Sequence, residues 1–286
     1  MIISVASGKG GTGKTTVATN LAVSMGQEVQ LLDCDVEEPN AHLFLKPKIE
    51  KTETVYLGVP KIDEDKCTYC RKCADICRFK AIAVAGQTVL TFPELCHSCG
   101  GCWEVCPEDA ITETGRELGV VEEGFFNAVE FVHGRLRVGE AMSPPLINKV
   151  REYVKPGLVN IIDAPPGTSC PVIAAMKGTD FVLMVTEPTP FGLHDLRLAV
   201  GAVKLLGIPY GLVINRSDMD NDDVRTYARA ENLPILMEIP FDRGIAEAYS
   251  RGELMVDVMP EWRDAFQGLF KRIEEQVASC RLQGTG

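Results

Sequence analysis

The chain has 286 residues, 45% hydrophobic and 24% charged, enough to bury a full α/β core and carry a second small domain. A formal charge of −11 argues against general nucleic-acid binding through a basic surface, and no apolar run approaches the ~20 residues that cross a bilayer. The N-terminus enters an apolar segment at once and leaves no room for a signal peptide. A cytoplasmic protein is therefore expected, with its eleven cysteines serving as metal ligands rather than disulfides.

Ile2 to Ala6 reads as a strand and Val17 to Val23 as a helix. Between them lies Ser7-Gly8-Lys9-Gly10-Gly11-Thr12-Gly13-Lys14-Thr15-Thr16, which fits G-x-x-x-x-G-K-[ST] from Gly8 to Thr15. Glycines let successive backbone N–H groups turn toward phosphate oxygens beside the positive end of the following helix. Lys14 is expected to reach the terminal phosphates and the Thr15 hydroxyl to ligate Mg²⁺. A second lysine just after the first glycine, Lys9, makes this loop resemble the deviant phosphate loop of the MinD/ParA ATPases. That resemblance implies ATP or ADP with Mg²⁺ as ligands, and a signature lysine that crosses to the partner's nucleotide in an ATP-dependent homodimer, or a heterodimer with a similar ATPase.

Glu28 to Asp33 reads as the second parallel strand, ending in Asp33-Cys34-Asp35 on the ligand side of a doubly wound sheet. By resemblance this is the first switch, and Asp35 positions the attacking water or the magnesium shell. Cys34 has no evident role beyond a small buried residue.

From Tyr56 to Thr114 cysteine dominates. Cys67, Cys70, Cys73 and Cys77 recur 29 positions later as Cys96, Cys99, Cys102 and Cys106, and Ala81-Ile82 recurs as Ala110-Ile111. The duplication resembles a bacterial ferredoxin with two [4Fe–4S] clusters, in which three thiolates come from one loop and the fourth from the other half. One cluster would be held by Cys67, Cys70, Cys73 and Cys106, the other by Cys77, Cys96, Cys99 and Cys102. Structural zinc also uses C-x₂-C pairs; it needs two such pairs, whereas each run here has three close cysteines and a fourth. Cys106 is followed by proline but Cys77 by Arg78, a cation expected to raise the potential of its cluster. His97 reads as a polar neighbour rather than a ligand.

Residues 124–139 suggest a hairpin or two short strands, and Pro144-Pro145 suits the first turn of a helix. Leu158 to Asp163 is a buried strand ending in a carboxylate, a Walker B arrangement in which Asp163 holds magnesium through water. The following Pro165-Pro166-Gly167 turn matches the second switch. Cys170 admits two readings, a small buried residue at a helix start or, as in the related nitrogenase iron protein, a ligand to a cluster between subunits. Asn215 and Arg216 end another strand; by resemblance Asn215 reads the adenine edge, Arg216 lies at the nucleotide, and residues 235–242, with Pro240, form the opposite wall. The last stripe, Trp262, Phe266, Leu269, Phe270, Ile273 and Val277, has flanking charges of both signs and suits core docking rather than the basic membrane anchor of MinD. Stable membrane binding is not expected, and residues 280–286 read as a frayed tail.

The expected architecture is an α/β, mostly parallel, doubly wound P-loop domain (1–55 and 116–286) with an inserted α+β 2[4Fe–4S] ferredoxin-like domain (56–115). Three uses follow: nucleotide-gated electron transfer to a redox partner, cluster or metal delivery to a client protein, and redox-sensing positioning or regulation.

Overall fold

The computed structural model describes residues 1–283. Eleven strands run in chain order: β1 Ile2–Ala6, β2 Val29–Asp33, β3 Lys48–Ile62, β4 Ile82–Ala85, β5 Thr88–Thr91, β6 Ile111–Phe126, β7 Val129–Leu136, β8 Val159–Asp163, β9 Phe181–Thr186, β10 Tyr210–Asn215 and β11 Ile235–Ile239. The helices are α1 Lys14–Ser24, α2 Ala41–Leu45, α3 Lys72–Ile76, α4 Gly101–Glu104, α5 Pro144–Arg151, α6 Cys170–Met176, α7 Pro190–Leu206, α8 Asp223–Ala230, α9 Arg243–Ser250, α10 Met255–Val258 and α11 Glu261–Gln283.

Nine strands form one sheet in the order β11-β10-β9-β1-β8-β2-β7-β6-β3. It is parallel from β11 through β7 and antiparallel at β7–β6 and β6–β3. The central strands are short, apolar and buried along their length, as strands covered by helices on both faces must be. Two apolar layers result. One packs Leu21, Phe44, Phe131, Phe266 and Leu269 on one face; the other packs Leu118, Leu146, Ile147, Val200 and Leu212 on the opposite face.

Residues 124–139 hold the hairpin expected there, with β6 turning at Asn127-Ala128 into the antiparallel β7, but its first strand is far longer than expected. β6 has 16 residues and pairs with the 15-residue β3 along its whole length, giving a long ribbon at the sheet edge. The sequence signal is weak because burial alternates only in patches: residues 48–56 of β3 and 112–115 of β6 are largely exposed, whereas Leu57, Val59 and Arg116 are buried. Positions 56 and 115 fall inside these continuous strands.

At the far end of the ribbon sits a cysteine-rich lobe containing α3, the β4–β5 hairpin and α4. The 29-residue repeat is carried in its backbone. Left-handed residues recur in step at Tyr69 and Ser98, Arg71 and Gly100, and Lys80 and Asp109.

The C-terminal segment is not frayed from residue 280, for α11 continues to Gln283, with Val277 buried and Arg281 paired to Asp180 at 2.7 Å. Residues 284–286 of the expected tail lie outside the described residues. Phe266, Leu269 and Ile273 are fully buried, so the apolar stripe docks on the core. Among the described residues no helix is long and apolar enough to cross a membrane.

Candidate functional site

Three strand ends meet at the carboxyl edge of the sheet. β8 lies between β1 and β2, and its register pairs Asp163 with Val5 on one side and Asp33 on the other. The glycine-rich loop leaves β1 at this point and enters α1. Asp163 therefore faces the loop: its Oδ2 accepts the Thr15 hydroxyl at 2.5 Å, and its Oδ1 lies 3.4 Å from Lys14 Nζ. Asp35 Oδ2 is 3.7 Å from the same ammonium. The turn after Asp163 is tied to the loop by Gly167 N–H donating to the Ser7 carbonyl at 3.0 Å.

Two glycines are constrained. Gly13 has φ +93°, and a Cβ there would lie 2.5 Å from the Asn215 amide nitrogen; a Cβ on Gly8 would lie 2.3 Å from the Asp195 carbonyl oxygen. The loop is thus wedged between β10 and α7.

Lys14 stands among two buried carboxylates, Asp33 and Asp163, and the half-buried Asp35. Burial pushes the Asp33 carboxyl up to about 8, with Asp163 adding to the shift. Asp35 is raised to about 6, again chiefly by burial, with Lys14 opposing. Burial alone would lower the Lys14 pKa, but Asp163, Asp35 and Asp33 outweigh it and hold it above its ordinary value. This excess of negative charge fits a divalent cation. Among the described residues no three His, Cys, Asp or Glu side chains are gathered tightly enough to hold a metal ion by themselves. That suits Mg²⁺, which takes one or two protein oxygens and completes its shell with phosphate and water.

A cleft of about 410 Å³ opens from the loop, lined by Gly10, Gly11, Gly13, Lys14, Thr15, Thr16 and Asp35 on one side. Asn215, Arg216, Pro240, Phe241 and Asp242 line it opposite, and its size accommodates a nucleotide. Ile245, Tyr249 and Met255, from α9 and α10, extend that wall. Sequence reasoning missed these three because helix stripes of this kind usually mean core.

Four expected site residues have partners within the chain. Of the loop residues, Gly8, Lys9 and Thr12 do not line the cleft. Lys9 Nζ is paired with Glu187 at 2.7 Å, and Arg216 reaches the same carboxylate at 3.2 Å. Thr12 offers its carbonyl to Asn215 Nδ2 at 2.9 Å, while Asn215 Oδ1 accepts the Arg216 N–H. The Nδ2 end of the Asn215 amide thus braces the phosphate loop, while its oxygen is held by the following residue.

Asp33, the other half of the strand-end pair, has a part the motif did not define. Fully buried, it accepts backbone N–H groups from Asp35, Asn40 and Ala41 at 3.0, 3.1 and 3.0 Å and so fastens residues 35–41, the expected first switch. From that switch, the Val36 carbonyl accepts Leu136 N–H of β7 at 2.8 Å, and Glu37 accepts the Ser143 hydroxyl at 2.7 Å.

The cysteine-rich lobe contains two small cavities. Cys67, Cys70, Cys73 and Cys106 line the first, and Cys77, Cys96, Cys99 and Cys102 the second. Ala81 N–H points to Cys77 Sγ at 3.2 Å and Ala110 N–H to Cys106 Sγ at 3.3 Å, donors suited to thiolate sulfur. His97 lies against the second cavity with its ring stacked on Phe79 at 3.6 Å. Cys34 is buried, as expected. Cys170 is exposed at the start of α6, which overturns its reading as a buried residue; the loop after Asp163 carries it out of the core.

The profile of the CobQ/CobB/MinD/ParA nucleotide-binding domain matches residues 3–255. An uncharacterized protein of Methanocaldococcus jannaschii is 33% identical over 97% of this chain and 98% of its own. An iron-sulfur cluster carrier protein of Aquifex aeolicus is 26% identical over 97% of this chain and 68% of its own. The cell division ATPase MinD of Pyrococcus furiosus superposes with a TM-score of 0.60 at 25% identity, covering 96% of this chain and 98% of that one. With its phosphate loop, strand-end carboxylates and matching domain in place, this chain belongs to the CobQ/CobB/MinD/ParA nucleotide-binding family.

Proposed function

We propose that this protein is an ATPase whose nucleotide state governs electron transfer through two [4Fe–4S] clusters in a ferredoxin-like insert, residues 56–115. The observation that carries the reading is a continuous path. Val36 and Glu37 of the first switch are bonded to β7 and to the segment after it; β7 pairs with β6 and β6 with β3. The strand residues Ile62 and Ile111 line the first cysteine cavity, and Pro60 lines the second. A shift of the switch is thereby applied to the walls of both cavities.

In this reading the backbone of Gly10 to Gly13 and Lys14 bind the phosphates of ATP, Thr15 and Asp163 hold magnesium, and Asp35 orients water for attack. Asn215, Arg216 and Pro240 flank the base. Lys9 leaves Glu187 and reaches the partner's nucleotide in an ATP-dependent dimer. Each set of four cysteines holds one cluster as a resident group, which supplies a one-electron site. The test is redox titration with and without MgATP, together with the rate at which an acceptor is reduced. Potentials and rates that shift with nucleotide support the reading, and identical values sink it.

A second reading, cluster delivery to an apo-protein client, is favoured by the name of the Aquifex relative and by the exposure of Cys170. Incubation with an apo-acceptor separates the two: a carrier loses iron to the acceptor, whereas an electron-transfer protein retains it.

A further inference from the structure

The 29-residue repeat conserves cysteine spacing and backbone but not charge. Residues 71–80 carry Arg71, Lys72, Arg78 and Lys80 against the single carboxylate Asp75, a net +3. The equivalent residues 100–109 carry Glu104, Glu108 and Asp109 and no cation, a net −3. In a chain of net charge −11 the basic segment stands apart. All four cations are exposed, and none has an ion-pair partner among the described residues.

The same segment carries apolar surface. Ile76 and Phe79 both line the second cysteine cavity, yet they are 42% and 40% exposed. Phe79 lies flat on the exposed His97 ring, so the outer wall of that cavity is a thin aromatic layer open to solvent. Arg78 and Lys80 flank Phe79 directly, in a turn closed by Lys80 N–H to the Cys77 carbonyl. The cavity itself is lined by no Asp, Glu, Lys or Arg. An apolar centre over a redox site, with unpaired cations at its rim, has the make-up of a weak, electrostatically steered docking face.

We propose that Ile76, Phe79 and His97, rimmed by Arg78 and Lys80, form the docking face for a small acidic one-electron redox protein, whose centre exchanges electrons with the cluster in the second cavity. This rests on the electron-transfer reading above. One electron crosses per encounter: the reduced cluster loses it, the partner's oxidised centre gains it, and no bond is made or broken. Complementarity of sign selects the partner, because an acidic face is attracted to this lobe at low salt and a basic one is not.

The test uses the full chain with its iron in place and an acidic flavodoxin as probe. Binding is followed by fluorescence anisotropy and electron transfer by stopped flow after dithionite reduction. The expected result is binding that weakens as salt rises. The double variant Arg78→Glu, Lys80→Glu should lose about tenfold in affinity, while Lys271→Glu on α11 is without effect. Phe79→Ala should weaken binding and leave its salt dependence unchanged. Salt-independent binding, or equal loss in Lys271→Glu, overturns the proposal. So does self-association abolished by reversing Glu108 and Asp109, which would make a second copy of this chain the occupant. Binding with no cluster-derived reduction of the flavin, or with fewer than eight irons per chain, locates the failure in the electron-transfer reading instead and removes the electron step.

Discussion

Asp33 sits in a register position that forces it against Asp163, and its three backbone contacts hold the first switch in shape. Its folded pKa of about 8 lies far above the usual carboxylate value, so between about pH 4 and pH 8 the folded state binds the extra proton. Stability contributed by this group is full below the ordinary value and is lost as pH rises through 8. The melting temperature of the nucleotide-free protein should therefore fall between pH 6 and pH 8.5, with a smaller slope in Asp33→Asn, as differential scanning calorimetry would show. Magnesium nucleotide should flatten the slope by neutralising the site. Gly13 is the other residue with a sharp consequence. Gly13→Ala combines a left-handed φ with a 2.5 Å clash at Asn215, and should reduce MgATP affinity by tenfold or more in calorimetric titration. Both glycine and lysine positions of the loop were legible in the sequence because their spacing is set by one ligand. Glu187 was not, since its partners lie in the phosphate loop and after β10, and Asp33 was legible only as half of a carboxylate pair, not as the acceptor that holds residues 35–41.

Among the elements, α11 and the β3–β6 ribbon act in opposite ways. α11 is structural: Phe266, Leu269 and Ile273 fill the layer between it and α1. Leu269→Ala should cost about 2–5 kcal/mol in urea unfolding while leaving the iron content of the folded protein unchanged. The helix was readable from its 3.6-residue stripe, and its docking from the mixed charges beside that stripe. The ribbon carries the coupling proposed for the molecule. Thr114, exposed on β6 and paired with Val59, lies where β6 has only β3 as a neighbour. Thr114→Pro should interrupt the ladder there. The expected variant keeps iron and ATP binding yet loses any nucleotide-induced change in cluster potential; an undiminished change would place the coupling elsewhere. The ribbon escaped the sequence because β3 is interrupted by glycine and proline and shows no clear alternation, and because pairing across 50 residues leaves no local trace.

At the scale of the whole molecule, the lobe and the sheet are joined by two continuous strands rather than by a linker, so the cysteine cavities and the nucleotide cleft lie on one hydrogen-bonded frame. Charge is distributed unevenly over the two cavities. Arg71, Lys72 and Glu108 line the first, and Arg78 directly follows Cys77 of the second. In the two-cluster reading Arg71 and Lys72, opposed by Glu108, would raise the potential of the cluster of Cys67, Cys70, Cys73 and Cys106, as Arg78 would that of the cluster at Cys77. Redox titration of Arg71→Gln, Lys72→Gln should lower one midpoint and leave the other in place. The phosphate loop and the parallel α/β class are legible in the chain alone, because each is written in local spacing or periodicity, while the crossed division of eight cysteines into two sets came from the resemblance to ferredoxin. What surrounds them comes from the fold: the carboxylate cluster at Lys14, the Glu187 partner of Lys9, the Asn215 brace and the ribbon. Those depend on strand order and register, which bring together residues more than a hundred positions apart and which no short stretch of chain encodes.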